Sequence, residues 1–433
     1  MTTDATQLPH RDDAIDPARR RWLRGLGALP ALAVLPALPA QARTPSPVRA
    51  ALRHGGLDGA RARFEYAGTH LNGAYTHPVA RGAASSLRHY LDGRLMNRDG
   101  RSVDLMAERE QAMRLFARLV NADVAELAWV PSTMVGENHV VSGLGLPGTR
   151  ARVVTDAYHF SGSLFMYSEL AKQGLDLHVV RPRDNRIHIE DMARAITPGT
   201  RLVAVSQVSS LNGFEHDLKA LCDVAHARGA LVYADIIQAA GTVPVDLHAC
   251  GVDFAACSTY KWLMGDFGIG LMYVRASSLP ALRRSQWGYR QEQSFTTHLY
   301  PFDPPGSAPF ESVARSDTPG RIEVGTLGYA GVAMLRASLE LLLELGVERI
   351  SAWRQPLLAR LQQAMPALGY LPMTPADSRS PIVTFAARGV GKRLQERFTA
   401  AGMEATLYQD RIRISPSFHN QMDDIERLLE LCT

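Results

Sequence analysis

The chain has 433 residues, is 46% apolar, and carries 47 basic against 43 acidic side chains, a net charge of +4. That length allows a large core, in two domains or in one domain with an appendage, and so small a charge excess gives no argument for nucleic acid. The four cysteines, Cys222, Cys250, Cys257 and Cys432, contain no Cys-x-x-Cys pair, which argues against a zinc site.

Residues 1–42 read as a removable targeting segment. Arg19-Arg20-Arg21-Trp22-Leu23-Arg24 precedes an apolar run over 25–38, and Ala40-Gln41-Ala42 offers small residues at a cleavage spacing. The run is shorter than the roughly 20 residues needed to span a bilayer, and Pro30 and Pro36 interrupt it. The Arg-Arg-x-aromatic-Leu-Arg order resembles a twin-arginine signal, which implies export to the periplasm and no membrane attachment after removal. An N-terminal arm, 43–90, follows. From 102 to 121 apolar residues recur at helical spacing: Leu105, Met106, Met113, Leu115, Phe116 and Leu119. Residues 126–130 read as a strand, and Ser132-Thr133-Met134 then open a helix. Free N–H groups, hydroxyls and the positive helix end make that junction a ready anion site. Gly143, Gly145 and Gly148 match Gly-x-Gly-x-x-Gly, but they run from a helix into the strand at 151–155, the reverse of a dinucleotide site. Tyr158, His159 and Phe160 come after that strand.

Strands and helices then alternate. Residues 202–206 read as a strand. Residues 217–228 read as a helix with Leu218, Leu221, Cys222 and Ala225 on one face, stopped by Gly229. Residues 230–234 form an apolar run with no polar face, as in a strand buried on both sides. Strand, helix and strand at this spacing make a right-handed βαβ unit. A second run, 254–257, leads into Ser258-Thr259-Tyr260-Lys261, glycines at 265, 268 and 270, and a strand at 271–274. Residues 285–320 are rich in proline and aromatics and read as a long functional loop. The large domain, 91–325, closes at Gly325-Thr326. A helix over 330–345 opens a smaller domain, 326–433, with strands at 381–386 and 411–415, a helix at 394–401 between them, and a closing helix at 423–431.

Asp235 sits at the C-terminal end of the 230–234 strand, where open α/β sheets bind ligands. Gln238 follows three residues on, and Lys261 sits at the end of the neighbouring run. A lysine alone on a turn is ordinarily exposed. Paired with that carboxylate, it meets the needs of a pyridoxal phosphate enzyme: an amine for the Schiff base and an acid that keeps the pyridine nitrogen protonated. Asp-x-x-Gln, then Ser-x-x-Lys-Trp and a glycine-rich turn, resembles the class V aminotransferases, a family that includes cysteine desulfurases, kynureninase and isopenicillin N epimerase. The similarity runs from about residue 71 to the C-terminus.

The resemblance implies an α/β, fold type I pyridoxal phosphate-dependent transferase. Its large domain holds a mostly parallel seven-stranded sheet, its C-terminal α/β domain is smaller, and it forms a homodimer. It also implies roles. Lys261 carries the cofactor and moves the α-proton, Asp235 meets the ring nitrogen and Gln238 the ring hydroxyl. Ser132, Thr133, Met134, Ser258 and Tyr260 hold the phosphate, Tyr260 standing where relatives have histidine. Gly325 and Thr326 reach the neighbouring subunit's phosphate. His159 or Phe160 stacks on the ring. The family's ring-hydroxyl asparagine falls at Ser210, a departure, with Asn212 as the alternative. Asn72 lies beside the substrate, Arg290 reads its distal group, and Arg413, or Arg411 on the same strand face, clamps the α-carboxylate through a planar guanidinium. No metal is implied. The implied reaction is transamination of an amino acid, with epimerisation as the alternative. Desulfuration is disfavoured, because Cys432 is the only cysteine after 257. A non-catalytic periplasmic binding protein is the rival of another class.

Overall fold

The structure is a computed structural model and describes residues 57–96 and 104–433. The expected targeting segment and the first part of the expected arm lie outside the described residues. Among those described, no helix is long and apolar enough to cross a membrane.

After a two-residue strand β1 (Thr69–His70), the chain contributes seven strands to one sheet: β2 (Leu127–Val130), β3 (Arg152–Asp156), β4 (Asp176–Val180), β5 (Thr200–Ser206), β6 (Leu231–Asp235), β7 (Phe254–Ser258) and β8 (Gly270–Val274). Their order is β2-β8-β7-β6-β5-β3-β4. The five from β4 to β7 along the sheet are parallel, whereas β8 runs antiparallel to both its neighbours. Parallel strands with crossover helices are buried on both faces. Accordingly Val232, Tyr233, Ala234, Phe254, Ala255 and Ala256 are all enclosed. Asp217 starts the crossover helix Leu218–His226 by accepting the Ala220 N–H at 3.0 Å. Gly229, at φ 75°, turns the chain back into β6.

This topology brings four strand ends to one edge of the sheet: Asp156, Ser206, Asp235 and Ser258 close β3, β5, β6 and β7. Ser206 lies directly opposite Asp235 in the β5–β6 register. The site is built on that edge.

The expected loop at 285–320 is instead an antiparallel hairpin, β9 (Glu292–Thr297) with β10 (Phe310–Ala314), followed by helix Thr318–Ile322. Most of the hairpin's residues are exposed on both faces, so the sequence has no alternation to reveal them. The Phe295 and Phe310 rings stack across it at 5.3 Å. Strand β4 and the helices Ser161–Lys172 and Ile189–Ala195 are likewise additions to the sequence reading. Helix Arg81–Met96 runs without a break through residue 90, where the arm was expected to end.

C-terminal to helix Tyr329–Leu345, a second, antiparallel sheet has the order β11-β12-β15-β14, made of β11 (Leu371–Pro372), β12 (Val383–Ala386), β14 (Thr406–Tyr408) and β15 (Arg411–Ile414). Its core includes Leu357, Phe385, Leu394, Ile412 and Leu428, from the sheet and the helices around it. Between β12 and β14, β13 (Met403–Glu404) pairs in parallel with β1, and Asn72 bridges Ser415. The first described segment is thus fastened to the end of the chain.

Candidate active site

Asp235 and Lys261 are both buried, 3% and 8% exposed. One Asp235 oxygen accepts the Ile237 N–H at 2.9 Å; the other has no donor among the described residues. Burial pushes the Asp235 carboxyl above its usual range, while the Ile237 N–H, His159 and Lys261 oppose the rise. Lys261 lies three residues past the end of β7. Its carbonyl accepts the Met264 N–H at 2.8 Å in a tight turn that holds Met264 at φ 54°. A buried non-glycine residue in the left-handed region persists only where its surroundings over-determine it. The Lys261 Nζ makes no hydrogen bond among the described residues. Burial pushes this amine down to about 8; Asp235 works against that and Arg413 with it.

Gln238 is fixed from two sides. Its Oε1 accepts the Trp262 indole N–H at 2.8 Å, and its Nε2 donates to the Ala74 carbonyl at 2.9 Å. One amide hydrogen remains for the role expected of it.

The residues expected to cradle an anion lie together at the start of helix Thr133–Gly143. Ser132 caps helix Thr133–Gly143 by accepting the Val135 N–H at 3.2 Å. Thr133 and Ser258 are joined three ways: the Thr133 N–H donates to Ser258 Oγ at 2.8 Å, the Ser258 N–H to Thr133 Oγ1 at 2.9 Å, and the hydroxyls lie 3.0 Å apart. The Met134 N–H has no acceptor among the described residues. Gly136 lets the helix lie close against β7; a Cβ there would stand 2.7 Å from that of Ala256. The Tyr260 ring stacks on Phe267 at 4.5 Å, and its carbonyl accepts the His77 N–H and the Thr76 hydroxyl, each at 3.2 Å.

Of His159 and Phe160, His159 is the one enclosed at the sheet edge. Phe160 is 37% exposed, whereas His159 is 1% exposed and is held at both nitrogens. Nδ1 lies 2.9 Å from Ser206 Oγ, and Nε2 lies 3.0 Å from Glu137 Oε1. Burial disfavours a charge on this imidazole, but Glu137, with Asp235 and Asp156 behind it, outweighs burial and raises its pKa. Glu137 is absent from the sequence reading. It is fully buried, and its second oxygen accepts the Ser163 hydroxyl at 2.5 Å. The available signal was its place four residues after Thr133 and four before Val141, an acid within the helix's inward stripe.

Arg413 is the inner arginine of β15, 5% exposed. Nη1 donates to the Ser210 carbonyl at 2.8 Å and Nη2 to Thr406 Oγ1 at 3.0 Å; the Thr406 hydroxyl donates to Asn72 Oδ1 at 2.6 Å. Its buried Nε has no partner among the described residues, and burial lowers its pKa. Arg411 lies over the Tyr408 ring instead, 4.7 Å from its centroid. Asn212, the alternative to Ser210, has both ends of its amide engaged. Its amide nitrogen serves the Asn185 and Met373 carbonyls, and its oxygen the Phe214 N–H.

Arg290 donates to the Tyr329 hydroxyl at 2.8 Å, and the Tyr289 hydroxyl meets that of the exposed Thr326, next to half-buried Gly325, at 2.8 Å. No hydrogen bond among the described residues links this group to Lys261, Asp235 or Arg413. Asp123, Glu126 and His248 gather closely enough to hold a metal ion, apart from these site residues. The Glu126 oxygens there already accept from Ala276, Asp123 and His248.

An unbonded buried amine, an open carboxylate oxygen, a helix-end anion cradle and an arginine with no carboxylate partner among the described residues suit a ligand with an aldehyde, a basic ring nitrogen and a phosphate. The comparisons with known proteins agree. The family model described as "Aminotransferase class-V" matches residues 86–428. A cysteine desulfurase of Klebsiella pneumoniae is 28% identical over 289 residues, 66% of this chain and 68% of the relative. The uncharacterized aminotransferase YcbU of Bacillus subtilis is 28% identical over 279 residues, 64% of this chain and 69% of the relative. Among solved structures, the Escherichia coli cysteine desulfurase CsdA matches with a TM-score of 0.75 at 22% identity, covering 87% of this chain and 97% of that one. The cystine C-S lyase C-DES matches at 0.74 and 18% identity, covering 84% and 97%. The chain belongs to the class V aminotransferase family, and it is an enzyme whose expected cofactor is pyridoxal phosphate.

Proposed function

We propose that the protein is an aminotransferase acting on an amino acid with a free α-carboxylate, with Lys261 as its proton carrier. The observation that carries this reading is the buried Lys261 amine, pushed down to about 8 so that it gives up its proton far more readily than a solvated lysine, with the Asp235 carboxylate and the Arg413 guanidinium both acting on it. Pyridoxal phosphate, when bound, supplies an electron sink for the charge left on the α-carbon. Ser132, Thr133, Ser258 and the Met134 N–H would hold its phosphate, Asp235 its ring nitrogen, and His159 would offer a flat face. Arg413 presents donors to a carboxylate and so orients the α-C–H bond. Lys261, as a neutral amine, takes that proton and returns it; a base with a pKa near 8 is well matched to this task.

The reading parts from the relatives named cysteine desulfurases on the thiols. Cys222, Cys257 and Cys432 are buried, and burial raises all three, Cys432 to about 11. A thiol that relays sulfur must be exposed and readily ionised. Export by the twin-arginine route, and a dimer in which Gly325 and Thr326 reach the partner's phosphate, belong to the same proposal. The sequence of residues 1–42 and the exposure of Thr326 support them.

Incubation of the loaded protein with amino-acid pools in deuterated water tests the reaction. Keto-acid formation is expected. Deuterium at the α-carbon without keto acid would make the enzyme an epimerase, and sulfur release from cysteine would make it a desulfurase. Lys261→Ala should abolish the visible absorption band; a wild-type protein with no band after incubation with pyridoxal phosphate would refute the cofactor assignment.

A further inference from the structure

We propose that Glu137 is a positioning residue of the cofactor site. Through its bond to His159 it holds the imidazole with both nitrogens as donors, one to Glu137 and one to Ser206, beside the strand end that carries Asp235. The proposal rests on reading Asp235 and Lys261 as the cofactor site.

Every element packed around His159 contributes a polar group. Helix Thr133–Gly143 supplies Glu137, 3.0 Å from Nε2. The end of β3 supplies Asp156, itself paired with His216 at 3.0 Å. Strand β5 supplies Ser206, 2.9 Å from Nδ1, and β6 supplies Asp235 and Tyr233. Helix Ser161–Lys172 supplies Ser163, 2.5 Å from Glu137, and Tyr167, whose ring lies 6.5 Å from that of His159. Lys261 acts on Asp235 from beyond β7.

A fully enclosed carboxylate is costly unless it is paired and hydrogen-bonded, and a buried polar pair replaced as a whole by apolar side chains of similar volume is often no less stable. Packing therefore gives no reason for an acid at 137. Electrostatics does. With Glu137 ionised the imidazole keeps its second proton, and the pair is neutral as a whole. Its positive end lies toward Asp235, where it favours the ionised carboxylate that a protonated ring nitrogen needs. Glu137 by itself disfavours that charge, but the contribution of His159 is the larger; without Glu137 the imidazole reverts to a neutral ring, and Asp235 loses that support.

The test begins with the unaltered apoprotein. Nitrogen NMR of its histidines should show both His159 ring nitrogens protonated at pH 7; a neutral His159 overturns the proposal without any variant. Glu137→Gln, nearly the same shape, should lower the His159 titration by about one to three pH units. It should also weaken pyridoxal phosphate binding by about tenfold, the equivalent of one pH unit passed on to Asp235. Glu137→Asp should recover part of both, and Ser206→Ala, which removes a bond but no charge, should leave the imidazole charged. A Glu137→Gln protein with unchanged titration and unchanged affinity refutes the assignment. If the wild type takes up no pyridoxal phosphate, the cofactor reading fails, while the His159 titration still decides the role of Glu137.

Discussion

Lys261 offers the sharpest quantitative test. Burial carries its amine from 10.5 to about 8, a difference on the order of 3 kcal/mol between charged and neutral forms. At pH 7 about one molecule in ten then holds a neutral, nucleophilic amine, roughly 300 times the fraction for a solvated lysine. The rate at which apoprotein develops its visible band with pyridoxal phosphate should therefore rise with a midpoint near pH 8, once corrected for the reagent's own titration with a free amine. Two variants test the electrostatics. Asp235→Asn removes the carboxylate that favours the charged amine and should lower the midpoint; Arg413→Met removes a repelling cation and should raise it. Linkage gives a further check. Between pH 8 and 10.5 the unfolded chain binds the proton that the folded chain has lost, so apoprotein stability should increase with pH across that window. A midpoint at 10 or above, or one that is the same in all three proteins, would refute the argument.

Arg413→Lys keeps the charge but loses the forked donor, so KM for α-carboxylate substrates should rise by roughly ten- to a hundredfold. Uptake of pyridoxal phosphate should be spared; an unchanged KM would remove the assigned role. Gly136→Ala would place a Cβ 2.7 Å from that of Ala256, and forcing the helix off β7 should cost about 1–3 kcal/mol in chemical denaturation. Cofactor affinity should fall with it, because Thr133 moves away from Ser258. His77 is buried beside His419, with ring centroids 5.0 Å apart, and burial, aided by His70, pushes it down to about 3 against the pull of the Pro78 carbonyl. The neutral folded form is favoured, so stability should be complete above pH 6.5 and decline as the pH falls toward 3. The loss should reach at most about 5 kcal/mol, and His77→Gln should flatten this part of the pH profile.

The parts of the fold visible in the sequence are those under local rules. An apolar run without a polar face identified β6 and β7 to within a residue, and Asp217 and Gly229 bracketed the helix between them. The Asp235–Lys261 pair was legible because strand ends carry the chemistry in such sheets. The hairpin at β9 and β10 was hidden because exposed strands need not alternate. His159 could not be separated from Phe160, since one residue of register decides which side chain enters the sheet edge. The bonding of Asn212 was not legible, because its partners, the carbonyls of Asn185 and Met373, are remote in sequence. Glu137 went unread because its inward carboxylate makes sense only once His159 is placed against it.

One consequence follows from the stitching of β1 to β13 and of Asn72 to Ser415 and Thr406. The pocket draws on residue 72 and residue 413 at once, with the lysine between them. A nascent chain cannot present it while its C-terminal segment is still inside the ribosome. The proposed substrate clamp is therefore assembled only after β15 has emerged, and a product truncated before Arg413 lacks it.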